Sequence, residues 1–166
     1  MTRVYLGIGS NIDAEHNLKL GVDELRRRYG PIDLSRVYRG PAVGFDGDDF
    51  LNMVVGLDTD DPPADIHAQI ELIHCLAGRE RGASPYASRT LDIDLLLYGE
   101  LVDKRPQVRV PRKDVLEHAF VLRPLAELAP EFRHPETGRT IGEHWAEQRA
   151  GFDVPSGRLE SVSLVL

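Results

Sequence analysis

The sequence predicts an α+β sandwich of the ferredoxin-like kind, in which helices pack on an antiparallel sheet. Strand-like and helix-like stretches follow one another in the order strand, helix, strand, strand, helix, strand. The 166 residues, 42% of them hydrophobic and 28% charged, suffice for one globular domain with a real core. We therefore expect a single domain over residues 1–166, in which residues 151–166 form a C-terminal extension that ends in a strand.

The first half of the chain supplies three predicted strands and a helix. The strands are "RVYLGIGSN" at 3–11, "IDLSRVYRG" at 32–40 and "FLNMVVGLDT" at 50–59, and each is rich in β-branched or aromatic residues. Asp13 is the predicted N-cap of a helix that runs to about Arg28, with an apolar stripe of Leu18, Leu20, Val22 and Leu25. The Gly, Pro and Asp-rich stretch "GPAVGFDGDD" is typical of a loop that holds a ligand on a rigid scaffold.

The second half repeats the alternation. Prolines followed by apolar residues at helical spacing predict a second helix in residues 61–81 that ends near Gly78. After the loop 82–90 comes the strand "TLDIDLLLYG", and "FVLRPLAELAP" is a third helix that Pro130 ends. The tail "RLESVSLVL" alternates in part, which indicates a last strand at an edge of the sheet or against a partner.

Charge and composition exclude several classes of protein. The formal net charge of −7 argues against a general nucleic-acid binder, which needs a basic surface. No apolar run is long enough to span a bilayer, and "MTRVYLGIGSN" lacks the apolar core of a secretory signal, so we expect a cytoplasmic protein without membrane partners. The single cysteine, Cys75, cannot form an internal disulfide, and its apolar helical surroundings predict a core position.

Common catalytic signatures are absent or weak. The chain has no G-x-x-x-x-G-K-[ST] motif, which excludes a P-loop enzyme. "GIGSNI" contains only the first two glycines of a dinucleotide fingerprint, and we interpret it as the turn that ends the first strand. The histidines show no compact ligand spacing, and we expect His67 and His74 to be surface or hydrogen-bonded histidines.

Asp92 and Asp94 stand in the most apolar run of the chain, "SRTLDIDLLLYG" at 88–99. Alternate residues of a strand share a face, so their carboxylates lie roughly 6 to 7 Å apart. At an effective dielectric constant near 20 they repel by about 2 to 3 kcal/mol. Mg²⁺ offsets such repulsion, and two ions can share a pair of carboxylates and a polyphosphate. The ordinary alternative is a solvated polar face, which is the commoner meaning of an isolated D-x-D.

Three arginines precede this strand: Arg79, Arg81 and Arg89. Guanidinium groups bind phosphate oxygens in a bidentate manner, which favours a phosphate site beside the aspartates. Ion pairing with Glu71 and Glu80 is the alternative for any one of them. The loop between them, "GASPYAS", is small in composition with one aromatic, Tyr86, and suits a lid that closes on substrate.

Five stretches together resemble one enzyme family: "YLGIGSN", "FLNMVV", "GRER", "SRTLDIDLLLYG" and "AFVLRPLAELAP". Their order and spacing are similar to those of the 6-hydroxymethyl-7,8-dihydropterin pyrophosphokinases of folate synthesis, over about residues 3–135. R-T-L-D-[LI]-D-L-L is highly specific for that family. The resemblance implies a ferredoxin-like fold and transfer of pyrophosphate from ATP to the pterin hydroxymethyl oxygen, with release of AMP.

The resemblance also implies roles on the nucleotide side. Asp92 and Asp94 would hold two Mg²⁺ ions, and Arg79 and Arg89 would contact the phosphates and complete the catalytic set. The implied ATP-binding residues are Arg79, Arg81, Tyr86, Arg89, Arg112 and His118. Several of these positions depart from the family pattern. Tyr86 replaces a Trp, Ala87 and Ser88 replace Gly-Pro, Arg112 replaces a His, His118 replaces an Arg, and His74 replaces an acidic residue.

On the pterin side, a flat polar heterocycle needs aromatic faces to stack on and an amide that offers a donor and an acceptor together. Asn52 meets the second need, and a buried amide requires partners. Phe50 and Phe120 match the family's ring sandwich by resemblance, with core packing as the alternative. The segment Pro41, Ala42 and Val43 resembles the one that supplies backbone contacts to the pterin edge.

Three hypotheses stay open. The chain is an active pyrophosphokinase, or a diverged relative that binds a pterin without efficient transfer, or a glycosyltransferase that uses D-I-D as a nucleotide-sugar metal motif. The paired aspartates argue against the second, because a pure pterin binder needs no metal ligands. The third leaves Asn52 and the arginines unexplained. We expect small-molecule partners and a monomer, or a homodimer paired through "VSLVL", and we assign no general base.

Overall fold

One antiparallel sheet forms the centre of the fold in this computed structural model, which describes residues 1–42, 47–78, 91–152 and 159–166. The strand order is β5-β1-β4-β3-β6, with β2 paired to β4. The elements in chain order are β1 (Thr2–Ser10), α1 (Ala14–Tyr29), β2 (Asp33–Leu34), β3 (Val37–Gly40), β4 (Phe50–Thr59), α2 (Pro63–Leu76), β5 (Asp92–Tyr98), α3 (Asp114–Glu117), α4 (Ala119–Leu128), α5 (Ile141–Phe152) and β6 (Glu160–Val162).

The connections between strands confirm the predicted fold class. Helix α1 follows β1 and leads to β2 and β3, and β4 lies between β1 and β3 in the sheet. Helix α2 stands between β4 and β5 in the chain, and β1 separates those two strands. Each crossover therefore passes over one strand of opposite direction, which is the ferredoxin-like arrangement.

The sheet is covered on both faces, because the strands alternate between two apolar sets. Val4, Leu6 and Ile8 of β1 pack in one core with α1 and α2. Tyr5 of β1 and Val54 of β4 belong to the other core, with α3, α4 and α5. In α1 the predicted stripe is buried at Leu18, Val22 and Leu25, whereas Leu20 is half-buried. Alternate residues of β1 thus pack against the helices on opposite faces of the sheet.

The predicted strand at 32–40 is in fact two strands. Leu34 of β2 opposes Val55, but Tyr38 of β3 opposes Asn52, so the β2–β3 side carries one extra residue. Ser35 lies at the break, where its Oγ accepts a hydrogen bond from the Val54 N–H at 2.9 Å. A side chain thus takes the place of a backbone partner, and the ladder is interrupted as in a β-bulge.

The prediction that Cys75 belongs to the core was wrong, because its side chain is exposed. Helix α2 buries Ile66, Ile70, Ile73 and His74, and the helical repeat turns Cys75 away from that face. The apolar residues around Cys75 are themselves partly exposed: Leu72 is 53% and Leu76 is 57% accessible. Local apolar composition was therefore a poor guide to the buried face of this helix.

The C-terminal half holds two helices beyond the predicted elements, α3 and α5. The last predicted strand is present as β6, which pairs with β3 of the same chain at one edge of the sheet. Within the described ranges, no helix is long and apolar enough to cross a membrane.

Candidate active site

The predicted polar residues lie in one row across the sheet. Asp92 of β5 is opposite Gly9 of β1, and Gly9 is opposite Asn52 of β4. Two residues along, Asp94 is opposite Gly7. Since side chains two residues apart share a face, Asp92, Asp94 and Asn52 all lie on the face that α4 covers. The paired carboxylates and the amide are therefore separated by the width of a single strand, with their backbones roughly 10 Å apart.

That single strand presents no side chain between them. Gly7 and Gly9 lie inside β1, which ends at Ser10, so the turn predicted for "GIGSNI" begins only after its two glycines. A Cβ atom on Gly9 would lie 2.6 Å from the Oδ1 of Asn52, closer than real contacts allow. The amide of Asn52 thus lies above Gly9. Two glycines at alternate positions of a strand were the signal that sequence reasoning missed, since they let side chains of the neighbouring strands lie over β1.

Arg112 brings a cation to the carboxylates. Its backbone N–H donates to the Leu96 carbonyl at 2.9 Å, which places the residue along the outer edge of β5. Its Nη2 lies 3.6 Å from Asp94 Oδ1, and its Nε lies 3.4 Å from Asp114 Oδ2. Burial by itself lowers the pKa of Arg112, but the two carboxylates outweigh it and raise the pKa above its ordinary value. A permanent positive charge therefore stands beside Asp94.

Helix α4 carries Phe120 and is tied to the sheet at its other end. Glu127 accepts hydrogen bonds from the Tyr38 hydroxyl at 2.5 Å and from the Arg36 N–H at 3.0 Å. Burial, and then the hydrogen bond to Glu127, raises the pKa of Tyr38. These contacts hold α4 against β3, and Tyr38 is the residue opposite Asn52.

The ring of His118 is stacked on the ring of Phe120, with centroids 4.8 Å apart and an angle of 14° between the planes. His118 is in extended conformation at the start of α4, so its side chain covers one face of Phe120. A flat ligand can therefore stack only on the other face of Phe120. Both rings are half-buried, and Phe120 packs against the core that includes α4, so core packing stays open as its alternative role.

Comparison with known proteins assigns the chain. Residues 5–130 match the family described as 7,8-dihydro-6-hydroxymethylpterin-pyrophosphokinase (HPPK). This chain belongs to that family. Among curated HPPK relatives, the 2-amino-4-hydroxy-6-hydroxymethyldihydropteridine pyrophosphokinase of Pseudomonas aeruginosa is 35% identical over 145 residues, which cover 85% of this chain and 88% of the relative. The enzyme of the same name from Methylorubrum extorquens is 38% identical over 138 residues, which cover 79% and 85%.

Solved HPPK structures share the fold. Wild-type Plasmodium falciparum HPPK-DHPS superposes with a TM-score of 0.71 at 12% identity, over 92% of this chain and 46% of that one. The same protein with SDX-DHP gives a TM-score of 0.74 at 11% identity, over 99% and 48%. The chain thus spans about half the length of these solved chains. They confirm the ferredoxin-like fold that the resemblance to HPPK implied.

Several residues of the predicted HPPK site lie outside the described residues: Val43, Arg79, Arg81, Tyr86 and Arg89. Pro41 and Ala42 are described, and they directly follow Gly40, which is opposite Phe50. Phe50 and Asn52 lie two residues apart on β4 and hence on one face. The structure therefore brings the start of the predicted backbone segment, one predicted ring and the predicted amide to the same end of the sheet.

The donors present fit a hard divalent cation. Asp92 and Asp94 are half-buried carboxylates on one face, and each is opposite a glycine of β1. In the part of the chain that the structure describes, no group of three or more His, Cys, Asp or Glu side chains converges. Two carboxylates, with the remaining ligands from water and substrate, is the manner in which Mg²⁺ is commonly held.

Proposed function

We propose that this chain transfers pyrophosphate from ATP to the hydroxymethyl group of 6-hydroxymethyl-7,8-dihydropterin in the folate pathway, within the cytoplasm. In the reaction, the hydroxymethyl oxygen forms a bond to the β-phosphorus of ATP and its proton leaves to solvent. The bond from the β-phosphorus to the oxygen that bridges to the α-phosphate breaks, and AMP departs with that oxygen. The pterin keeps the β- and γ-phosphates. Membership of the HPPK family supports this reaction.

The observation that carries the proposal is the row Asp92, Gly9, Asn52 across the sheet. It offers carboxylates for a metal-bound polyphosphate on one side and an amide for a heterocycle on the other. Gly9 of β1 lies between them, and because it has no side chain the amide of Asn52 lies directly over this strand. Alignment of two reactants in one site supplies a large part of the rate in such transfers.

On the nucleotide side, we assign Asp92 and Asp94 to two Mg²⁺ ions. When bound, Mg²⁺ neutralises negative charge on the phosphate oxygens. Arg112, whose guanidinium is 3.6 Å from Asp94, is positioned to add a further positive charge there. We assign Arg79 and Arg89 to the transferred phosphates and Arg81, Tyr86 and His118 to ATP. Phe120 covers one face of the His118 ring, and His118 is half-buried, so part of its ring stays accessible to ATP.

On the pterin side, we assign the amide of Asn52 to the donor and acceptor pair of the ring. Phe50 and the uncovered face of Phe120 would stack on it, and the backbone of Pro41, Ala42 and Val43 would bind its edge. The half-burial of Asn52, Phe50 and Phe120 supports this role, because each keeps part of its side chain accessible to a ligand.

The test is AMP formation from ATP and the pterin, with Mg²⁺ or with a chelator, and identification of the pterin product by mass. We expect magnesium-dependent AMP and a pyrophosphorylated pterin. Asp58→Asn is the control for loss of a carboxylate and should keep AMP formation. Asp58 lies on β4 six residues from Asn52, roughly 20 Å along the strand. Saturable pterin binding without AMP would refute the transfer reaction and leave a binding protein.

A further inference from the structure

Strand β5 forms one edge of the sheet, with β1 as its one strand neighbour in the described order. The outward N–H and C=O groups of an edge strand need partners from elsewhere. The Leu96 carbonyl accepts from the Arg112 N–H at 2.9 Å. The Ile93 N–H donates to Nε2 of His74, on α2, at 2.8 Å. Helix α2 and the loop residue Arg112 thus hold the edge strand that carries both aspartates.

The hydrogen bond from Ile93 is well placed to control those aspartates. Ile93 stands between Asp92 and Asp94, so the bonded amide belongs to the peptide that joins Asp92 to Ile93. His74 is 3% exposed, and the bond is buried. The position of the peptide fixes where the neighbouring side chains leave the backbone, so His74 acts on both carboxylates through one amide.

The hydrogen bond from the Ile93 N–H also determines the tautomer of His74. A backbone N–H can only donate, so Nε2 must carry a lone pair. The proton of the neutral ring is therefore on Nδ1, which lies 3.3 Å from Glu71 Oε1. Glu71 is exposed, and its carboxylate accepts a hydrogen bond from the Nδ1–H of His74. The pair Glu71 and His74 thus orients a ring whose acceptor faces the edge strand.

We propose that His74 is a positioning residue for the metal ligands: its Nε2 holds the peptide that joins Asp92 to Ile93, so that the carboxylates of Asp92 and Asp94 reach the same cations. The inference rests on the proposed role of the aspartates in binding Mg²⁺. Partners that orient metal ligands from behind typically change metal affinity by 10- to 100-fold when they are removed. A residue that merely fills the edge of the sheet would change stability and leave metal affinity alone.

The experiment measures Mn²⁺ binding by electron paramagnetic resonance in the presence of α,β-methylene-ATP, which cannot be cleaved at the bond that transfer breaks. His74→Met removes the acceptor and keeps an apolar side chain of similar length. His74→Gln keeps an acceptor oxygen near the position of Nε2. Ile73→Val, in the same buried turn, reduces packing without removing any acceptor. We expect about 10-fold weaker Mn²⁺ binding in His74→Met and wild-type affinity in the other two variants.

Wild-type Mn²⁺ affinity in His74→Met would overturn the inference. Equal weakening in His74→Met, His74→Gln and Ile73→Val would overturn it also, since lost packing would then be the cause. Should His74→Met not fold, His74→Asn takes its place, because its side chain is too short to reach Ile93. Asp94→Asn separates the two proposals: if it binds Mn²⁺ like the wild type, the proposed metal site fails, whatever His74 does.

Discussion

The amide of Asn52 lies over Gly9, and its Oδ1 is 2.6 Å from the point that a Cβ atom of residue 9 would occupy. The two residues are direct partners in the pairing of β1 with β4. Any side chain at position 9 must push the amide away or bend the strands apart. The absence of a side chain at Gly9 therefore determines where the amide of Asn52, the candidate pterin-binding group, lies.

Replacement of Gly9 by Ala should weaken pterin binding more than ATP binding. The added methyl group displaces the amide of Asn52. The same overpacking lowers the free energy of unfolding by about 1 to 3 kcal/mol. Calorimetric titration with each substrate measures the difference. Gly151→Ala is the control, because a Cβ at that helical position meets open space. Unchanged pterin affinity in Gly9→Ala would show that Asn52 does not need its present position.

Asn52→Ala should weaken pterin binding by about 10-fold or more, because a desolvated ligand donor or acceptor loses its partner. ATP binding should change little, since strand β1 separates Asn52 from the carboxylates. The matched control is Asn17→Ala. Asn17 is also an amide, and it donates to the Ile12 carbonyl at 2.7 Å in a structural role. Equal losses for pterin and ATP in Asn52→Ala would contradict the assignment.

The parts of the fold that sequence reasoning predicted are those in which pattern and packing agree. The alternation in β1 and β4 and the spacing of Leu18, Val22 and Leu25 each follow from one buried face. Helix α5 escaped prediction because Ile141 and His144 are its buried residues, too few to form an apolar stripe. The split near Ser35 depends on a hydroxyl that binds a distant amide, which no local pattern encodes.

For the candidate site, the sequence predicted which types of residue take part but not how they are arranged in space. Paired aspartates indicate a cation by their charge and spacing, so Asp92 and Asp94 could be named in advance. His74 could not, because its role depends on a contact between α2 and β5 that arises in the folded chain. The contribution of Gly9 also depends on strand pairing, since it acts by leaving space for Asn52.

Asp94→Ala should abolish pyrophosphate transfer, with a loss of about 100-fold or more, as expected when charge stabilisation at a transferring group is removed. The fold should persist, because Arg112 keeps Asp114 at 3.4 Å as its partner and the repulsion between Asp92 and Asp94 is relieved. AMP formation and thermal unfolding of the same preparation measure both effects. Full activity in a folded Asp94→Ala protein would remove the metal hypothesis.

A pair of histidines remote from the site should make stability depend on pH. His134 and His144 are buried with ring centroids 5.8 Å apart. Nδ1 of His134 accepts the Glu136 N–H at 3.2 Å, so a lone pair is needed there. Nε2 of His144 is 2.7 Å from the hydroxyl oxygen of Thr137. Burial is the largest cause that lowers the pKa of each ring below its ordinary value, so both are neutral in the folded protein.

The sign follows from which state binds protons more tightly. The unfolded histidines have a pKa of about 6.5, and the folded ones have a lower pKa, so the unfolded state takes up protons first as pH falls. The free energy of unfolding should be steady above about pH 6.5 and decline below it until the folded rings also titrate. Urea unfolding at neutral and mildly acidic pH measures this decline. His144→Gln should make the decline shallower, because His134 alone of the pair remains, whereas His16→Gln, at an exposed position, should leave it unchanged. A decline in His144→Gln as steep as that of the wild type would assign the pH dependence to other groups.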